Sequence, residues 1–79
     1  MSAPYQWQSG CSRVAERLLL EEIERIVGDA RYRDETIRAN HHARLLFDAY
    51  PYTFSLGRII DELVLAAARE GVPVDISRL

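Results

Sequence analysis

Seventy-nine residues, 48% hydrophobic and 28% charged, describe one small globular domain and not a disordered chain. A chain this short buries only roughly 60% of the surface its unfolded form exposes, so its core is marginal without a disulfide, a metal or a second copy. A single cysteine, Cys11, excludes an internal disulfide, and a net charge of −2 gives no electrostatic pull toward phosphate backbones or anionic membranes.

All ten basic residues are arginine, a bias that the codon usage of a GC-rich genome explains without a ligand. The opening "MSAPYQWQSGCS" lacks the basic patch and apolar run of a secretory signal. The apolar stretches "LLL" and "LVLAAA" fall far short of the roughly 20 residues a membrane helix needs. The expectation is a cytoplasmic protein with no membrane partner, built as a polar N-terminal arm (1–11) and a single three-helix domain (12–79).

The first predicted helix runs from about Arg13 to Val27, with Ser12 as its N-cap and Gly28 as its stop. At about 100° per residue, Ala15, Leu19, Ile23, Ile26 and Ala30 share one face, with Leu20 and Val27 at its edge. Glu21 and Arg25 are spaced as an acid-first ion pair.

The second helix is predicted from about Asp34 to Ala49, opened by Asp34 and Glu35, whose negative charges suit the helix dipole. Ala39, Ala43, Leu46 and Tyr50 form its apolar stripe, with Phe47 beside it. Arg38, His41, Arg44 and Asp48 fall on the other side.

The third helix is predicted from about Leu56 to Glu70, capped by Ser55, with Leu56, Ile60, Leu63, Val64 and Ala67 inward. Arg58, Glu62 and Arg69 face outward, and Leu65 lies among them. Gly71 takes the left-handed position after the helix, Val72 folds back and Pro73 blocks continuation. Val74 and Ile76 then belong to a short extended C-terminal tail. The fold class expected is therefore all-α.

Most of the aromatic residues cluster in "FDAYPYTFS": Phe47, Tyr50, Tyr52 and Phe54. A single-strand-binding platform needs exposed rings in a positive groove, and the charges nearby are only Arg44, Asp48 and Arg58. The cluster is better explained as a plug and hinge between helices two and three, with Tyr52 left accessible to a partner.

His41 and His42 are adjacent on a helix, hence splayed, and neither has a metal-ligating residue four positions away. They are expected as a surface His41 and a half-buried, pH-sensitive His42. The carboxylate pairs Glu21-Glu22, Asp34-Glu35 and Asp61-Glu62 are consecutive and diverge where acid/base chemistry needs convergence. There is no glycine-rich phosphate loop, and no serine or cysteine has a recognisable base partner. No catalytic residue, cofactor or metal ligand is therefore assigned, and the chain is expected to be no enzyme.

The run "ARYRDETIRANHHAR" carries Arg31, Arg33, Arg38 and Arg44 with Tyr32 interleaved. Arg31 with Glu35 and Asp34 with Arg38 are spaced to neutralise one another, which explains the run as a solvated helix face. The alternative is a small nucleic-acid-binding regulator resembling a helix-turn-helix. Its connector is longer than that motif prefers, and Asp61 and Glu62 would meet phosphate repulsion.

Val14 and Leu18 lie off the main apolar face of the first helix, continuing a heptad-like rhythm from Trp7 and Cys11. A second apolar stripe on a small domain points to association, unless the N-terminal arm folds back to cover it. The function expected is a protein–protein interaction module, a homo-oligomer or a small subunit of a complex. Its candidate interface is Val14, Leu18, Tyr52 and Leu65.

Overall fold

The computed structural model describes residues 3–76, with side chains described from residue 13. The protein is all-α. The elements in chain order are α1 (Ala3–Arg33), β1 (Ile37–Arg38), α2 (Ala39–Ala49), α3 (Leu56–Glu70) and β2 (Val74–Asp75). Helix α3 is the centre of the packing: it lies against both α1 and α2, which touch each other only sparsely.

Helix α1 is longer than its sequence punctuation suggests. Ser12 does not start it, since the backbone is helical from Ala3, and Gly28 does not end it. The expected arm at 1–11 falls where side chains lie outside the described residues. Gly28 is passed because the buried row Leu19, Ile23, Val27 and Ala30 continues beyond it. A mid-helix glycine costs about 1 kcal/mol, less than burial of the last turn returns.

The real stop is at Asp34, whose φ of 57° is left-handed. The Glu35 amide donates to the Ala30 carbonyl at 2.8 Å, and the Asp34 amide to the Arg31 carbonyl at 3.2 Å, which together close a Schellman turn. Asp34 and Glu35 therefore terminate one helix instead of opening the next.

Extended backbone follows. Ile37, β-branched and buried, pairs in parallel with Val74, and Arg38 with Asp75. The Ile37 amide donates to the Pro73 carbonyl at 3.0 Å. The C-terminal tail is thus a two-residue strand that ties β1 to the end of α3. Helix α2 starts only at Ala39, with no side-chain cap, and buries Ala39, Ala43 and Leu46.

Helix α3 has the limits its sequence predicts. The Ser55 hydroxyl accepts from the Arg58 amide at 3.2 Å. The amide of Gly71, at φ 71°, donates to the Ala68 carbonyl, while that of Val72 donates to Ala67. Its inward face is rotated from the expectation. Ile59, Leu63, Ala66 and Ala67 are buried, whereas Leu56 and Ile60 pack at the margin and Val64 is half-exposed. The rotation lets one face of α3 meet two neighbours, with Ala66 at the α1 groove.

Candidate functional site

The candidate interface residues lie on three separate segments. Val14 and Leu18 sit on α1, 49% and 46% exposed, before Leu19, the first buried side chain among the described residues. Trp7 and Cys11, which would extend their rhythm, lie outside the residues whose side chains are described. Leu65 is 57% exposed on the face of α3 turned from the core. Tyr52 is 97% exposed in the α2–α3 connection, where its φ of 70° is unusual for a non-glycine residue. Only Val14 and Leu18 form a row; Tyr52 and Leu65 stand singly.

The aromatic cluster divides. Phe54 is buried and Tyr50 packs at the core margin, so these two form the plug. The Tyr50 carbonyl accepts from the Thr53 hydroxyl at 2.6 Å, holding the turn, and the Arg58 guanidinium lies over the Phe54 ring at 4.2 Å. Phe47, expected in the core, is 38% exposed, because its position on α2 lies beyond the row that meets α3.

The ion pairs also differ from the local spacing. Arg25 engages Glu22 and, at 3.5 Å, Asp29, and leaves Glu21 without a partner among the described residues. Hydrogen bonding from Arg25 holds the Glu22 carboxyl below its ordinary range. Arg31 pairs with Glu70 across the α1–α3 ends at 2.8 Å and not with Glu35, because the helix has turned away by then. Arg33, Arg38 and Arg44 make no ion pair among the described residues.

One feature that sequence alone does not expose is a groove of about 390 Å³ between α1 and α2. Its floor and walls are Ile26, Leu46, Ala49 and Tyr50, with the exposed Leu45 at the lip and Glu22, Arg25 and His42 along the rim. The sparse α1–α2 contact creates it. Leu45, next to the buried Leu46 but off the stripe, stands exposed beside it.

His42 stands at this groove, half-buried, with the exposed His41 ring edge-on at 5.3 Å. Burial first, and then the charges of His41 and Arg25, lower its pKa below the ordinary histidine value. Among the described residues no group of three or more His, Cys, Asp and Glu side chains is placed to hold a metal ion. No helix among them is long and apolar enough to cross a membrane.

Comparison with family models, with curated proteins and with solved structures finds no match.

Proposed function

We propose that this chain is a non-enzymatic, cytoplasmic protein-interaction module, self-associating or serving as a small subunit of a complex. The observation that carries the proposal is the row Val14 and Leu18, about half exposed on a helix that has already buried a separate row in the core. Apolar surface that the fold does not use is most simply explained by a partner. The groove beside it, with Leu45 at its lip, adds further apolar surface to the same side of the molecule. Tyr52 and Leu65 are secondary contacts.

A second function, a small nucleic-acid-binding regulator, is favoured by one observation: Arg33, Arg38 and Arg44 have no ion pair among the described residues. Against it, Glu70 neutralises Arg31, and the first turns of α3 carry Asp61 and Glu62.

Capture experiments on the intact chain, with and without nuclease, separate the two. The interaction module retains a nuclease-resistant protein that Leu18→Asp loses. The regulator retains material that nuclease removes, with affinity falling steeply as salt rises.

A further inference from the structure

We propose that the occupant of the α1 face is α1 of a second copy, packed antiparallel about a twofold axis close to Leu18. This deepens the interaction-module proposal and rests on it.

The charge order along one flank of the helix carries the inference. At about 100° per residue, Arg17 and Glu21 fall side by side next to the Val14–Leu18 row. The base comes first and the acid last. Arg17 and Glu21 are four residues apart, yet neither has an ion pair among the described residues.

In an antiparallel pair related by a twofold axis, the same flank of both helices lies on the same side of the dimer. One register then sets Arg17 beside Glu21 of the second copy. The arrangement holds twice over, by symmetry. That register brings the two Leu18 side chains together near the axis. In a parallel pair the two copies of this flank would lie on opposite sides of the seam, and Arg17 would not meet Glu21 of the second copy.

The groove supplies the area that two apolar side chains per copy lack. A stable dimer buries on the order of 1,200–2,000 Å² in total, far more than Val14 and Leu18 provide. In the same register the turns of α1 that precede Arg13 run alongside Ile26 of the second copy. They cover the opening between its α1 and α2, where Leu45 stands at the lip. Each copy thus lends a fourth helix to the other's sparse α1–α2 side.

Charge reversal tests this on the intact chain by sedimentation equilibrium, with circular dichroism to confirm unchanged helicity. Arg17→Glu alone sets a new carboxylate against Glu21 of the other copy, twice per dimer. Glu21→Arg alone sets a new guanidinium against Arg17, also twice. Each variant is expected to self-associate about tenfold more weakly than the wild type. In an equimolar mixture the heterodimer keeps the like-charge contacts of neither parent: each reversed residue meets the other reversed residue, and each native residue meets its native partner. Such a heterodimer is expected to form with near wild-type affinity. A mixture no tighter than its components overturns the antiparallel pairing. A wild-type chain that stays monomeric at every concentration overturns the second copy as occupant. Such a monomer that still captures another protein in a Leu18-dependent way leaves the interaction module standing. Failure of both removes the module as well.

Discussion

Two rows on α1 hold similar residues at the same four-residue spacing and meet opposite fates. Leu19 and Ile23 are 0% and 2% exposed, packed in the core beside α3, while Val14 and Leu18 stay about half exposed. Leu18 and Leu19 differ by one position, which turns the side chain by about 100°. Hydrophobicity alone therefore does not say which leucines build the fold. Helical phase does, and the out-of-phase row is the one available to a partner.

The sharpest way to break this comparison is to truncate one residue from each row. Ile23→Ala leaves a cavity in the core and is expected to cost about 2–5 kcal/mol of unfolding free energy, read by urea denaturation. Leu18→Ala removes as many carbon atoms, yet should change monomer stability by only about 0.5 kcal/mol, because no cavity opens at the surface. Comparable losses from both would mean that Leu18 belongs to the core.

A smaller effect is expected at Gly28, in the helix that both rows share. A Cβ built there meets nothing within 4 Å, and the position faces the open α1–α3 groove. Gly28→Ala should raise stability by about 0.5–1 kcal/mol through helix propensity alone, measured as a higher denaturation midpoint. A loss would show that the groove is filled in solution.

The smallest effect concerns the rim of the α1–α2 groove. His42 has a lowered pKa in the folded state, so the unfolded chain binds its proton more readily. The stability this supplies is fully present above the unfolded pKa of about 6.5 and is lost as the pH falls through the lower, folded pKa. Arg25, Glu22 and Asp29 of α1, Arg33 at its end, Glu35 of the turn and the neighbouring His41 all face this region. Thermal midpoints recorded between about pH 7 and about pH 5 should fall for the wild type and flatten in His42→Gln. An equal slope in both would assign the dependence to another group.

Helix order, the Ser55 cap and the Gly71 stop are legible because each is a local event with its own residue chemistry. The end of α1 is not. Gly28 looks like a stop, and only the burial of Ala30 reveals that packing overrides it. The strand at Ile37 hides for a related reason, since its partner Val74 lies far along the chain. The face of α3 can be read only to within one residue, because Leu56, Ile59, Ile60, Leu63 and Val64 make a broad apolar band whose centre depends on its neighbours. The exposure of Val14, Leu18, Tyr52 and Leu65 follows from phase and turn chemistry. The groove at Leu45 does not, since it arises from the spacing between two helices.

Equilibrium sedimentation of the intact chain beside Leu18→Asp reads most directly whether the Val14–Leu18 row joins two copies. The wild type is expected to associate as its concentration rises, and the variant to stay monomeric with unchanged helicity. Identical molar masses for the two chains at every concentration, with partner capture also unchanged, would contradict an interface at this row.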